Sequence, residues 1–287
     1  MKLLKLITFF AFVLSATISP AQKYKATKTV ILPLSVKNIN VRSEAMNKDV
    51  NAFVVLPDDY DKNKDKRYPV IYLLHGLGDN HTTWVVKTKP NLDRVATEHQ
   101  VIFVCPDGST SWYWDAPKNP AFKYETFVSK ELVEYIDKNY RTIANKNGRA
   151  ITGFSMGGHG GLWLGFRHPD VFGSCGSMSG GVDFRPFQLI ARTAELLGDY
   201  ASNEKVWDSH TVINQLNKLN AKNMPAIIID CGTSDFLYEV NEALHKKMLY
   251  MKIPHEYITR PGGHSHKYWR DAIDNHIMFF LKRFPKQ

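Results

Sequence analysis

The stretch AITGFSMGG, residues 150–158, decides the fold of this chain. It holds the pattern G-x-S-x-G with Ser155 at its centre, between a short apolar run and a segment rich in glycine and leucine. The apolar run predicts a buried strand, and the segment after it predicts a helix that begins near Met156. Glycines on both sides of the serine let the backbone turn sharply without a clash of Cβ atoms. We therefore expect a nucleophilic serine between a strand and a helix; the alternative is a glycine-rich turn with a bystander serine.

The rest of the chain alternates short apolar runs with helical patterns. Short apolar runs that end near a glycine or proline are typical of strands buried on both faces; they lie at residues 70–74, 101–105, 150–152 and 226–229. Apolar residues recur at helical spacing in residues 128–136, 240–248 and 273–284. The alternation predicts an α/β fold with a mainly parallel sheet and helices on both faces. The earlier stretch, residues 29–57, has an extended pattern with apolar runs at residues 29–32 and 51–56, and we expect it to form antiparallel strands that lead into this sheet.

Length and composition indicate one globular domain. The chain has 287 residues, 44% of them hydrophobic and 23% charged, which excludes a disordered chain. Three cysteines are too few to staple a chain of this length, which excludes a small disulfide scaffold. All three lie in or next to predicted strands and are predicted to be small buried hydrophobic residues: Cys105, Cys175 and Cys231.

The first 21 residues have the pattern of a secretory signal peptide. A basic start precedes an apolar run at residues 6–14, and Ser19-Pro20-Ala21 is a small-x-small cleavage site. A membrane anchor is the alternative, but nine apolar residues are too few to span a bilayer. No cysteine follows the run to carry a lipid, and no later stretch approaches spanning length. We expect cleavage after Ala21, export to a periplasm or the medium, and a single domain over residues 22–287.

A serine hydroxyl is a poor nucleophile unless a base and an orienting carboxylate assist it. On this kind of fold the partners follow the serine in the order acid, then histidine. Asp235 follows the predicted strand at residues 226–229, and His264 follows a strand-like segment at residues 255–258. The alternatives are Asp230 or Glu239 as the acid and His266 as the base. The other histidines, His159 and His168 among them, are predicted to be ordinary helix or surface residues.

A glycine turn at residues 75–78, HGLG, follows the first central strand. Such a turn can aim one backbone amide at a substrate oxygen, and the start of the helix after the serine supplies a second. We expect the amides of Leu77 and Met156 to form an oxyanion hole, with a plain strand-ending turn as the alternative.

Five segments in this order resemble the esterase D-like "putative esterase" family. They are HGLGD (75–79) with Trp84, YETF (124–127), GFSMGG (153–158), GTSDF (232–236) and PGGH (261–264) with Trp269. The family includes tributyrin, feruloyl and acetyl xylan esterases, S-formylglutathione hydrolases and mycolyltransferases. The resemblance implies an α/β-hydrolase fold, Ser155 as nucleophile, Asp235 as acid, His264 as base, and no metal or organic cofactor. His266 stands where many relatives carry an aromatic residue.

Aromatic residues suggest the nature of the substrate. The candidates for substrate contact are Trp84, Trp112, Tyr113, Trp114, Tyr238 and His266. Residues 181–224 form the only sizeable insertion and are predicted to be short helices at the rim of the site. These features and export favour a carboxylesterase for acetyl, other short-chain or feruloyl esters on carbohydrate. An acyltransferase to sugar hydroxyls and an S-formylglutathione-hydrolase-like thioesterase remain alternatives; export counts against the second.

Two further classes of function are disfavoured. A metal site at His75, His264 and His266 would need a further cysteine or carboxylate at ligand spacing, and none is present. The net charge of +9 comes from 37 basic and 28 acidic residues, but the lysines are scattered, as at residues 62, 64 and 66. Scattered charge is typical of a solvated surface, so we expect no nucleic-acid partner.

Overall fold

Eight strands form one sheet in the computed structural model, which describes residues 32–187 and 193–286. Their order across the sheet is β1-β2-β4-β3-β5-β6-β7-β8. Strands β1, β2 and β4 pair antiparallel, and every other pair is parallel. The strands are β1 (Val36–Ser43), β2 (Lys48–Val55), β3 (Val70–Leu74), β4 (Ile102–Pro106), β5 (Arg149–Gly153), β6 (Ser174–Met178), β7 (Ala226–Gly232) and β8 (Glu256–Arg260).

The central strands confirm the prediction from their apolar runs. Every residue of β3, β4, β5 and β6 is buried, because helices cover both faces of the sheet. The prediction of a strand at residues 29–32 is not confirmed: Leu32 lies outside any strand, and residues 29–31, like the predicted signal peptide, lie outside the described residues. The first strand is instead β1, whose sequence VKNINVRS mixes polar and apolar residues because most of its side chains are at least partly exposed.

Helices form a layer on each face of the sheet. They are α1 (Leu92–His99), α2 (Tyr124–Thr126), α3 (Leu132–Asn139), α4 (Met156–Arg167), α5 (Ala194–Leu197), α6 (Tyr200–His210), α7 (Val212–Gln215), α8 (Tyr238–Tyr250) and α9 (His266–Leu281). Apolar side chains of α3, α4 and α8 belong to one hydrophobic core, and those of α1 and α9 belong to the other. Helices α5, α6 and α7 come from the insertion, which confirms that it folds as short helices.

The three cysteines are free and buried, as predicted. Burial raises the pKa of each thiol. Within the described residues, no helix is both long and apolar enough to cross a membrane.

Helix α4 lies close to the sheet because glycines face it. A Cβ on Gly165 would lie 2.3 Å from Cys175 Cβ in β6, and one on Gly161 would lie 2.3 Å from the carbonyl oxygen of Gly176. This close approach fixes the height of α4 above the sheet, and thereby the position of its first turn after Ser155.

We expect Gly165→Ala to lower the free energy of unfolding by about 2 kcal/mol. Overpacking costs up to about 3 kcal/mol, and the roughly 1 kcal/mol that alanine gains over glycine in a helix offsets only part of it. Urea unfolding measures the difference. Lys246→Ala, at an exposed position of α8, is the control and should change stability by less than about 0.5 kcal/mol. Equal stability of Gly165→Ala and wild type would contradict the close packing.

Candidate active site

Polar side chains from three strand ends meet at one edge of the sheet. Ser155 follows β5, Asp235 follows β7, and His264 follows β8. Strands β5 to β8 run parallel as neighbours, so their carboxyl ends lie side by side. This edge is where ligands bind in open α/β sheets.

Ser155 occupies a strained turn. Its backbone has φ 57° and ψ −120°, far from the values of either the strand before it or helix α4 after it. The Ser155 amide donates to the carbonyl of Met178 in β6 at 3.0 Å. Cβ atoms on Gly153 and Gly157 would lie 2.5 and 2.3 Å from the carbonyl oxygen of Leu74. Glycine at both positions is therefore a steric requirement of the turn, as the sequence predicts.

A continuous chain of hydrogen bonds joins the serine to a carboxylate. The Oγ atom of Ser155 lies 2.9 Å from Nε2 of His264, and Nδ1 of His264 lies 2.9 and 3.0 Å from the two carboxylate oxygens of Asp235. Because an ionised carboxylate only accepts, Nδ1 carries the proton and Nε2 is left to accept from the serine hydroxyl. The Asp235 side chain is fully buried, and its Oδ1 also accepts from the amide of Leu237 at 2.9 Å.

The alternative partners lie elsewhere. Asp230 is inside β7, where its carboxylate accepts from the Tyr268 hydroxyl, and burial raises its pKa against the lowering effects of Tyr268 and Arg260. Glu239 is exposed on α8. His266 lies with Nδ1 2.9 Å from the hydroxyl of Thr88.

The His264 ring is held between two aromatic side chains. The Phe236 ring centroid lies 4.6 Å from that of His264, and Trp269 meets the imidazole edge-on at 4.8 Å. The loop before the histidine is tight: Gly262 has φ 148°, and a Cβ there would lie 2.4 Å from the Tyr268 ring. The imidazole therefore keeps one orientation between the serine and the acid.

The glycine turn that carries Leu77 is fixed by His75. The Nδ1–H of His75 donates to the Gly76 carbonyl at 2.8 Å, and its Nε2 accepts from the amide of Gly108 at 2.7 Å. The Gly76 carbonyl also accepts from the Asp79 amide at 3.2 Å, which closes a turn with Gly78 at φ 80°. Because the carbonyl and the following amide of one peptide point in opposite directions, these bonds orient the Leu77 amide as well.

A small cleft opens beside the serine. Its lining is apolar apart from the serine hydroxyl: Leu77, Trp112, Ser155, Met156, Gly181, Phe184, Phe187, Phe236 and Leu237. Both residues predicted for the oxyanion hole lie in this lining, as does Trp112. Phe236 was missed as a pocket residue, although its place directly after Asp235 in the chain is a signal that could have found it. The cleft is suited to an uncharged, apolar group attached to a carbonyl carbon.

The structure corrects three of the predicted substrate contacts. Trp84, Tyr113 and Trp114 are fully buried and do not line the cleft. The Trp84 indole donates to the Leu74 carbonyl at 3.1 Å, and the Tyr113 hydroxyl donates to the His75 carbonyl at 3.1 Å. Trp114 packs against Trp112 and Phe184 of the cleft lining, whereas Trp84 packs against Phe154.

Two further predicted contacts lie beside the cleft but not in its lining. Tyr238 is half-buried at the start of α8. His266 begins α9, packs edge-on against Phe154 and Trp269, and faces Asp79 at 3.8 Å. Burial lowers the pKa of His266.

An aromatic wall borders the cleft: Trp112 and Phe184 line it, Trp114 and His159 pack against these two rings, and Trp163 packs against Trp114 and His159. Glu125 supports this wall, since its carboxylate accepts from the Trp163 indole at 2.8 Å, from Arg167 at 2.7 Å and from His168 at 2.9 Å. Burial acts to raise the pKa of Glu125, but hydrogen bonds from His168, Arg167 and Trp163 outweigh it and the pKa is lowered. His168, predicted to be an ordinary helix or surface residue, is partly exposed at the end of α4 and binds this buried carboxylate.

We expect Glu125→Gln to lower the free energy of unfolding at pH 7 by about 2 kcal/mol, because charged hydrogen bonds are lost. A carboxyl whose pKa is lower in the folded state stabilises the fold above its unfolded pKa, about 4.3 for glutamate. The difference between wild type and variant should therefore shrink as pH falls below about 4.3. Urea unfolding at pH 7, 5, 4 and 3 measures it, with exposed Glu134→Gln as the control. A difference that stays constant down to pH 3 would show that the charge does not stabilise the fold.

Across residues 32–187 and 193–286, no three His, Cys, Asp or Glu side chains are grouped closely enough to hold a metal ion.

Comparison with known proteins gives a family match over most of the chain. A sequence model of the family described as "Putative esterase" matches residues 43–280. An esterase of Mycobacterium tuberculosis is 32% identical over 240 residues, which are 74% of this chain and 51% of that protein. An endo-1,4-beta-xylanase/feruloyl esterase of Xylanibacter ruminicola is 36% identical over 158 residues, 52% of this chain and 22% of that protein. The chain thus spans about half the length of the first relative and less of the second.

A solved structure described as a ferulic acid esterase superposes with a TM-score of 0.74 at 29% identity. The match covers 87% of this chain and 98% of the other. With the strand order and the turn at Ser155, it confirms the α/β-hydrolase fold.

Proposed function

Because the chain belongs to the "Putative esterase" family, we propose that it is a serine carboxylesterase with Ser155, His264 and Asp235 as its catalytic triad. The observation that carries the proposal is the hydrogen-bonded chain from Ser155 Oγ through His264 to the buried Asp235 carboxylate, at the carboxyl edge of the sheet. A serine without a catalytic role is not expected to lie within hydrogen-bond distance of a histidine that a buried carboxylate orients.

The proposed reaction is acyl transfer to water in two steps. His264 Nε2 takes the proton from Ser155 Oγ as that oxygen attacks the ester carbonyl, and Asp235 stabilises the imidazolium that forms. The amides of Leu77 and Met156 hold the oxyanion. The tetrahedral adduct then expels the alcohol, which takes the proton from His264 and leaves an acyl-serine ester. Water, deprotonated by His264, attacks that ester and releases the acid and the free serine.

The cleft lining supports the assignment of the acyl group. Its aromatic and aliphatic side chains suit an acetyl, other short-chain or phenolic acyl group. The feruloyl esterase named among the relatives supports the phenolic class. With the predicted signal peptide, residues 1–21, we place the enzyme outside the cytoplasm, acting on esters carried by carbohydrate.

Replacing Ser155 with alanine is expected to lower kcat for p-nitrophenyl acetate by at least about 10⁴-fold, because the attacking atom is lost. Initial rates measure kcat, and circular dichroism checks that the fold is intact. Ser234→Ala is the matched control, since Ser234 is exposed in the loop one residue before Asp235; its activity should stay close to wild type. Turnover by Ser155→Ala within tenfold of wild type would rule out this nucleophile.

A substrate panel separates the acyl and alcohol preferences. Methyl ferulate and acetylated xylan, compared with p-nitrophenyl acetate, butyrate and octanoate, report on phenolic acyl groups, sugar dependence and chain length. We expect hydrolysis of the ferulate and of the acetyl esters. Product analysis with a sugar acceptor present would reveal acyl transfer in place of hydrolysis.

A further inference from the structure

His159 is fully buried one turn after Ser155 on α4. Both of its ring nitrogens are bonded. Nδ1 lies 3.0 Å from the carbonyl oxygen of Gly181, and Nε2 lies 2.8 Å from the indole nitrogen of Trp114. A carbonyl only accepts and an indole N–H only donates, so Nδ1 carries the proton and Nε2 accepts. The prediction that His159 is an ordinary helix or surface residue is therefore wrong.

This histidine does not serve as a base. Burial lowers its pKa to about 3, so the ring is neutral at working pH, and its acceptor nitrogen is already occupied by the Trp114 indole. What the ring does is join separate parts of the molecule: α4, the loop that carries Trp112 and Trp114, and the insertion that begins at Gly181.

Each of these parts contributes to the cleft wall. The ring centroid of His159 lies 5.1 Å from that of Trp112 and 5.9 Å from that of Phe184, and both of these side chains line the cleft. Gly181 also lines the cleft, and a Cβ there would lie 2.8 Å from the Trp112 ring. The Cα of Gly181 is thus packed against the Trp112 ring, and His159 contacts both residues.

We propose that His159 is a positioning residue that sets the acyl-chain selectivity of the cleft by holding Gly181 and, through it, the Trp112 ring. The proposal rests on the esterase activity proposed above. Trp112 lines the cleft together with Ser155, so we expect an acyl chain longer than acetyl to reach its ring. Loss of the two hydrogen bonds should therefore impair binding of the longer acyl group while the chemistry at Ser155 is retained.

His159→Phe keeps a ring of similar size and removes both hydrogen bonds. We expect the ratio of kcat/KM for p-nitrophenyl butyrate to that for the acetate to fall by about tenfold, within the range that the two additional methylenes of the butyrate can supply in an apolar pocket. The change should come from KM for the butyrate. The kcat for the acetate should stay within about threefold of wild type, because His159 does not contact the reacting atoms.

Trp114→Phe is the second variant. It removes the indole N–H that His159 accepts, together with part of the ring that stacks on Trp112, and leaves the bond to Gly181, so we expect a change of the ratio in the same direction. The change in the double variant should be smaller than the sum of the two single changes, because both substitutions break the one hydrogen bond between His159 and Trp114. If His159→Phe does not fold, the same comparison is made on Trp114→Phe.

His276→Phe is the matched control. His276 is also fully buried, binds the Thr152 hydroxyl at 2.9 Å and has a pKa lowered to about 3, but it lies away from the cleft lining. This variant should lower Tm and leave the ratio unchanged. An unchanged ratio in folded His159→Phe and Trp114→Phe, with the acetate still hydrolysed, would overturn the inference. Failure of the wild-type protein to hydrolyse either ester would contradict the proposed function itself.

Discussion

The positive φ of Ser155 is the constraint on which the rest of the site depends. At φ 57° and ψ −120° the chain leaves β5 and enters α4 with no intervening loop, so the serine side chain stands at the edge of the sheet. Holding such a backbone costs on the order of 1–3 kcal/mol, which the surrounding structure must supply. It does so through the Ser155 amide bonded to β6 and through Gly153 and Gly157 packed against the Leu74 carbonyl.

The other parts of the site are arranged around that turn. Helix α4 can begin there because glycines let it lie close to the sheet. Leu77 of the His75-supported glycine turn and Met156 at the start of α4 line the cleft together with the serine, and His264 Nε2 lies 2.9 Å from the serine Oγ. The aromatic wall packs against the next turn of α4. One helix therefore links the proposed chemistry at Ser155 to the proposed acyl selectivity at His159.

The sequence predicts the central strands and the serine turn well, because buried parallel strands leave continuous apolar runs and a sharp turn requires glycine. The extended stretch predicted at residues 29–57 contains β1 and β2, but the prediction misplaces the first strand, because β1 mixes polar and apolar residues and is partly exposed. The prediction that the WYW segment, residues 112–114, contacts the substrate is wrong for Tyr113 and Trp114, which are fully buried. Trp112 and Tyr113 both have positive φ, 56° and 61°, values that bulky residues seldom adopt. The segment therefore sends Tyr113 and Trp114 inward. Burial of His159 likewise depends on tertiary contacts that helical periodicity does not reveal.

Trapping the acyl-enzyme tests the central claim most directly. The protein is mixed with p-nitrophenyl acetate, quenched in acid within the first turnovers, digested and analysed by mass spectrometry. The account predicts a single acetyl group on the peptide that contains Ser155, at the serine itself, and its disappearance as turnover is completed. Turnover with no acyl group at Ser155, or with the group on another residue, would contradict it.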